Sequence, residues 1–388
     1  MVIASREVPF ATSTTDTSEI PLTAIEYFAG VGLFRMGLER AGWSVEFAND
    51  WDGERAQIYE GFFGDKYEIR DIFSVSHEQI PHATLATCSF PCIDLSLAGK
   101  RQGIHGQHTG AFWGFHELLK CQGSNSPPIV LLENVPGWLS SNGGDDFYAT
   151  ATALNDLDYA CDVFVVNARS FVPQSRSRVF MVGVKGATAS TGFTNPRSTR
   201  LMPAKLKKLV DANSAIDWMQ LDVPEPPPFR SEGFSSEIVE EIPDDSSLWW
   251  PQEKVEKHLR MMSPAHLEFV NYLTNRDEIS HRTFFRRRRV VGQRAEVRSD
   301  DIAGCLRTAV GGSGKQFMVS VGQGSTRMRT LTTREYARLQ GVPDEYPIVA
   351  NSERQSLSAF GDAVCVPVIS WIANEVLNPL TVALSHKR

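Results

Sequence analysis

With 388 residues, the chain has room for two domains, or for one large domain carrying an insertion. At 42% hydrophobic and 22% charged, with six cysteines, it is neither collagen, coiled coil, wholesale disorder nor a disulfide scaffold, and its thiols suit a reducing cytosol. Its 39 Lys and Arg stand against 46 Asp and Glu, a net charge of -7 that, as a whole-chain number, argues mildly against a polyanionic partner.

Residues 1–20 are polar, lack the apolar core of a signal peptide and read as a disordered tail. No apolar run approaches the roughly 20 residues of a membrane span, so a cytoplasmic protein with no membrane partner is expected. An α/β rhythm follows. Residues 23–28 (TAIEYF) read as a strand, 29–32 (AGVG) as a glycine turn and 33–41 as a helix with Arg35, Glu39 and Arg40 on its polar side. Residues 43–48 predict the second strand and 52–63 the second helix. Apolar runs at 85–88, 129–132, 163–166 and 179–184 predict further strands, separated by helical stretches such as 111–121 and 146–157. Alternating strands and helices mean βαβ units and a mainly parallel sheet, whose ligands bind beyond the carboxyl ends of the strands.

The composition changes after Gly186. Residues 187–247 are rich in Ser, Thr and Pro, and 222–245 hold eight acids and one base, Arg230. A helical stretch near 253–273 precedes an arginine cluster, with seven arginines and one acid in 282–298. From Thr332 the pattern is helical again and ends in an apolar helix near 366–377. The middle reads as a smaller, irregular domain set into or after the α/β core.

Gly30 and Gly32 lie between the first strand and its helix, and Asp50 ends the second strand. Glycines let a backbone approach a nucleotide, and an acid at that strand end accepts hydrogen bonds from ribose hydroxyls. A third glycine two residues on is missing, so a tight turn with a surface aspartate fits as well. Trp51 suits either stacking on an adenine or core packing. Three more constellations stand at strand ends: Phe90-Pro91-Cys92, Glu133-Asn134-Val135 and Gln174-Ser175-Arg176-Ser177-Arg178. A thiol and a carboxylate on one rim suggest nucleophilic catalysis with an acid partner. Singly, the cysteine reads as a buried hydrophobe and the glutamate as a helix cap. The residues alone thus predict a nucleotide-binding α/β enzyme with a reactive cysteine.

The ordered set FAGVG (28–32), NDW (49–51), RDI (70–72), FPC (90–92), ENV (133–135), QSRSR (174–178), RTLTTREYARLQGVPD (329–344) and GDAV (361–364) resembles the DNA cytosine-carbon-5 methyltransferases, prokaryotic in type, over residues 25–377. The resemblance implies a Rossmann-like class I S-adenosylmethionine-dependent methyltransferase domain at 21–190 and a target-recognition domain at 191–353. A segment at 354–388 would return to the catalytic domain. It makes Cys92 the nucleophile at carbon-6 of a flipped-out cytosine, with Glu133 on the ring and Arg176 and Arg178 on the base or a neighbouring phosphate. It assigns the donor to Phe28, Ala29, Gly30, Gly32, Leu33, Asp50, Trp51, Asp71, Ile72, Pro91, Asp362 and Ala363, with S-adenosylhomocysteine as product. Asp71 also suits a plain helix cap.

Double-stranded DNA is the implied partner. Its expected contacts are Ser96, Lys100 and Arg101 in a glycine-rich lid at 96–110, Gln174, and Arg286, Arg287, Arg288, Arg289 and Gln293 in the middle domain. The arginine run fits equally a solvated strand edge that blocks sheet pairing. Departures from the family are Leu33 for a glycine, Ile93 for a glutamine and Asp362 for an asparagine. No metal is expected, since Cys88, Cys92, His82, His105 and His108 match no zinc spacing. Host protection beside a restriction endonuclease or in phage defence follows, by a monomer on DNA in a prokaryotic cytosol or nucleoid. A tRNA cytosine methyltransferase and a catalytically silent DNA-binding relative are the alternatives. The net charge is an average over an acidic 222–245 and a basic 282–298.

Overall fold

The structure, a computed structural model, describes residues 20–64, 67–91, 110–188, 195–289, 292–307, 315–348 and 353–386. The expected tail up to residue 19, Cys92 and the lid up to residue 109 therefore lie outside the described residues.

Seven strands make the large sheet: β1 (Thr23–Tyr27), β2 (Ser44–Asp50), β3 (Tyr67–Ile69), β4 (Leu85–Cys88), β5 (Ile129–Asn134), β6 (Tyr159–Asn167) and β7 (Ser177–Lys185). Their order is β3-β2-β1-β4-β5-β7-β6. β1 to β5 run parallel, while β7 pairs antiparallel with both β5 and β6. This is the Rossmann-like methyltransferase fold expected from the sequence. β3 is too short to have shown as an apolar run.

Strand alternation sorts the core into two layers. Ala24, Ile129, Leu131, Phe180 and Val182 face one layer; Ile25, Tyr27, Val130, Leu132 and Met181 face the other. The second layer is closed by α3 (Ala111–Gln122), α4 (Asp145–Asn155) and α5 (Ala204–Ala212). The first is closed by α1 (Leu33–Glu39) and by helices from the far end of the chain, α8 (Thr333–Leu339), α9 (Glu353–Asp362) and α10 (Val366–Ile372). Gly37 of α1 lets α10 come close: a Cβ there would lie 2.5 Å from Ile369 Cβ. The helical run 354–385, which includes α11 (Asn378–Ser385), is apolar enough to cross a membrane by composition, yet 67% of its apolar window is buried inside the protein. It is a core element here.

The smaller unit is a four-stranded antiparallel sheet, β11-β10-β8-β9, from β8 (Ser280–Arg289), β9 (Gly292–Val297), β10 (Gln316–Gly322) and β11 (Ser325–Thr330). It has its own core of Val255, Val270, Phe284, Phe317, Val319 and Met328, covered by α6 (Gln252–Arg260) and α7 (Pro264–Thr274). The single helical stretch expected near 253–273 is thus two helices, with Pro264 opening the second. The β10–β11 hairpin turns on Gln323 and Gly324, both at positive φ (53° and 77°), the geometry that suits a right-twisted two-residue hairpin. Leu201, Val223, Phe234, Ile238 and Leu306, within the 191–353 segment expected to be the small domain, pack instead in the first layer of the large one.

Candidate active site

The turn from β1 to α1 is held in a backbone conformation that L side chains rarely adopt. Phe28, Gly30 and Gly32 have φ of 59°, 54° and 76°. A Cβ on Gly32 would strike the rings of Phe63 and Tyr59 at 2.4 and 2.7 Å, so only glycine fits. Asp50, buried at the end of β2, fastens the turn: its Oδ2 accepts from Gly30 N at 2.9 Å and its Oδ1 from Asp52 N at 3.1 Å. Burial pushes the Asp50 carboxyl up; nearby Arg55 and the two N–H groups oppose the rise. Two accepted bonds leave lone pairs over for ligand hydroxyls. Trp51 is 70% exposed, which removes core packing as its role.

Asp71 is exposed and its Oδ1 accepts from Phe73 N at 3.0 Å, the helix cap that was the alternative. Ile72 is buried against Gly114, where a Cβ would come within 2.5 Å of its Cγ2. Ala29 and Leu33 are buried, so the departure at Leu33 feeds the core. Asp362 ends α9 and Ala363 follows it, and the Asp362 carboxylate lies 3.2 Å from Arg55 Nη2.

The second constellation is assembled by strand direction. The carboxyl ends of β4 and β5 and the amino end of the reversed β7 share one rim, with Glu133 opposite Phe180 and Asn134 opposite Val179. Glu133 is buried; its Oε1 pairs with Arg178 Nε at 2.9 Å and its Oε2 accepts from Ser89 Oγ at 2.6 Å. Asn134 Nδ2 donates to Phe90 O at 3.1 Å. Phe90 is packed between Phe112 and Trp138, with centroids at 5.6 and 5.7 Å. Two hydrogen bonds and an aromatic clamp therefore fix the segment up to Pro91, which is half-buried and is the last described residue before Cys92.

The QSRSR motif divides. Arg178 reaches Glu133, but Arg176, expected to hold the base or a phosphate, is 1% exposed and occupied elsewhere. Its Nη1 donates to Leu306 O (3.0 Å) and Gly361 O (3.2 Å), and its Nη2 to Asp362 O (3.3 Å) and Ala363 O (2.6 Å). Burial, then neighbouring Arg178, lowers its pKa. Gln174, expected on DNA, is fully buried. It donates to Leu339 O at 2.7 Å and accepts from Leu306 N at 3.0 Å. Arg176 joins the large sheet to the returning C-terminal segment and Gln174 joins it to Leu306 and α8, and a side chain without exposure has no face to offer DNA.

On the small sheet, β8 pairs with β10 over Ser280 to Phe285 and with β9 over Phe284 to Arg289, so among the described residues Arg286 to Arg289 are paired on one side only and the edge-blocking alternative stands beside the DNA contact. Arg287, Arg288 and Arg289 are exposed, as is Gln293 on β9. Arg289 Nη2 pairs with Glu296 at 2.6 Å and Arg287 Nη1 lies 3.9 Å from the same carboxylate. Arg286 stands over the Phe317 ring, 5.1 Å from its centroid. Ser96, Lys100 and Arg101 lie outside the described residues.

Three residues at these sites escaped the sequence, Ser89, Arg55 and Cys305, and Asn134 was legible only as a member of its motif. Ser89 adjoins Phe90-Pro91-Cys92 but carries no chemistry of its own to flag it. Cys305 Sγ sits 3.6 Å from Arg176 Nη1 and 4.0 Å from Arg178 Nη1. Burial would raise its thiol, but Arg176, Arg178 and Arg307 outweigh it and bring the pKa below the ordinary value. Among the described residues, no cluster of His, Cys, Asp and Glu is arranged to hold a metal.

A family model for C-5 cytosine-specific DNA methylases matches residues 22–378. The chain is 26% identical over 359 residues to the type II methyltransferase M.HhaI of Haemophilus parahaemolyticus, covering 92% of this chain and 94% of that one. It is 27% identical over 373 residues to the type II methyltransferase M.HpaII of Haemophilus parainfluenzae, covering 92% and 90%. Its fold is similar to the crystal structure of the S. pombe Dnmt2 methyltransferase, with a TM-score of 0.59, 18% identity and coverage of 92% and 99%.

Proposed function

Since the chain belongs to the C-5 cytosine-specific DNA methylase family, and is thus a DNA (cytosine-5-)-methyltransferase, we propose that it methylates carbon-5 of a flipped-out cytosine within a short duplex DNA sequence through a covalent Cys92 adduct. The observation that carries this is the shared rim: the Ser89–Glu133–Arg178 array stands where the Pro91-Cys92 segment leaves β4, on the ligand-bearing edge of the sheet.

S-adenosylmethionine suits the neighbouring turn. The left-handed backbone at Gly30 and Gly32 opens a close approach, buried Asp50 offers acceptors for ribose hydroxyls, and the exposed Trp51 indole offers a face to adenine. Phe28, Ile72, Pro91, Asp362 and Ala363 would complete that site. When bound, the donor supplies a methyl group on an electrophilic sulfonium. The Cys92 thiolate adds to carbon-6 and makes carbon-5 nucleophilic. Glu133 holds ring nitrogen 3 and the exocyclic amine while Arg178 and Ser89 hold Glu133 in place. After transfer, loss of the carbon-5 proton expels the thiolate and restores the aromatic ring. Extruding the base costs a few kcal/mol, which contacts from Lys100, Arg101 and the Arg286 to Arg289 strand would offset.

Such an activity would protect host DNA beside a restriction endonuclease or in a phage-defence cluster. Bisulfite sequencing of DNA from cells expressing the chain should reveal one methylated motif, and Cys92→Ala should abolish it. Full methylation by Cys92→Ala would refute the adduct. Label entering tRNA instead of duplex DNA would move the substrate to RNA.

A further inference from the structure

Arg55 has no counterpart among the motifs that carry the family resemblance, yet it stands at the centre of the glycine-turn site. Asp52 caps α2 (Gly53–Phe63), its Oδ1 accepting from Arg55 N at 3.2 Å, and this aims the Arg55 side chain back over the start of the helix. The guanidinium then meets two carboxylates from distant parts of the chain: Asp52 Oδ2 at 3.2 Å and Asp362 Oδ2 at 3.2 Å. A Cβ on Gly30 would lie 3.9 Å from Arg55 Nη1, so the same group backs the turn itself. Asp362 is the position where the family's usual residue is an asparagine. An aspartate there loses two donors and adds a negative charge beside Asp50 and Asp52. Burial works against that charge, and Arg55 is the largest influence opposing the rise in the Asp362 pKa.

We propose that Arg55 is a positioning residue for the methyl donor, an ionic latch that neutralises Asp362 and ties the C-terminal segment to the glycine turn; this rests on the donor site proposed above. The donor brings a sulfonium and an amino group as cations and a carboxylate as anion. A free Asp362 carboxylate would swing and seek them, whereas a latched one presents a fixed, half-neutralised edge. Arg55 and Asp362 thus form a matched pair, each tolerable because of the other, in place of a single neutral amide.

The test is a double-mutant cycle read by calorimetry with S-adenosylhomocysteine. Arg55→Met should weaken binding about tenfold and Asp362→Asn about threefold. The double variant Arg55→Met/Asp362→Asn should be no weaker than Arg55→Met alone, because the asparagine needs no cation. Arg55→Lys keeps a charge at the same place and should stay within about threefold of the wild type. Melting temperatures of the unliganded variants, measured alongside, separate a loss of folding from a loss of the latch. Independent effects, with the double variant weakened about thirtyfold, would overturn the latch while leaving the donor site standing. Absence of binding by the wild-type chain would overturn the donor site and the latch together.

Discussion

Replacing Arg176 with methionine separates two accounts of that residue. If it holds the base or a phosphate, Arg176→Met loses methyl transfer and keeps its fold. If it clasps the C-terminal segment, both suffer, because four backbone carbonyls lose the guanidinium at once. Charge-assisted bonds contribute roughly 1.5–3 kcal/mol each, and the two shortest here, to Ala363 and Leu306, give about 3–6 kcal/mol. Confining a guanidinium offsets part of this, and its Nε has no partner among the described residues. A net loss of about 3–5 kcal/mol follows, as for breaking a buried ionic contact. Against a typical stability of about 5–15 kcal/mol the variant should fold marginally. Urea unfolding followed by near-ultraviolet circular dichroism should show the midpoint falling, and S-adenosylhomocysteine should bind more weakly since Asp362 and Ala363 lose their anchor. An unchanged midpoint with methylation abolished would refute the clasp and return Arg176 to the substrate.

Two further predictions concern charge. Glu26 is fully buried beneath the glycine turn, and burial raises its carboxyl from 4.5 to about 8, against a hydrogen bond from the Arg35 N–H and the Arg35 charge. A raised folded pKa gives stability that is whole below pH 4.5 and lost as pH climbs through 8. Glu26→Gln should therefore melt several degrees above the wild type at pH 8.5, by about 1–3 kcal/mol, with the gap narrowing as the pH falls and closing near pH 4.5; the same gap at pH 8.5 and 4.5 would refute the burial argument. Arg288 is exposed on β8, so Arg288→Gln should lower the salt slope of duplex binding by about 0.9, whereas Arg289→Gln, already paired with Glu296, should change it less. Fluorescence anisotropy over a salt series measures both, and an unchanged slope for Arg288→Gln would remove that strand from the DNA face.

Much of the large domain was legible because its strands are fully buried and read as continuous apolar runs, as at 85–88, 129–132 and 179–184. The glycine turn and its partner Asp50 were legible because geometry at positive φ admits few residues. Strand direction was not: nothing in SRVFMVGVK says that β7 runs against its neighbours, yet that reversal brings Arg178 to Glu133. Nor did the sequence reveal that Gln174 and Arg176 are buried, since both types ordinarily lie at the surface. The arginine run hid a sheet strand because its charges masked the Thr283-Phe284-Phe285 segment that anchors it.

The helices α9 and α10 close the glycine-turn side of the sheet from more than 300 positions downstream. On a ribosome, β1, β2 and the turn emerge early, but Asp362, Ala363 and the segment gripped by Arg176 appear only after residue 360 has been made. Until then the nascent chain carries only half of the proposed donor site, with the apolar layer that α8, α9 and α10 later cover still open. The proposed donor site can therefore close only once α9 has been made and has folded back onto the glycine turn, an order written into the chain.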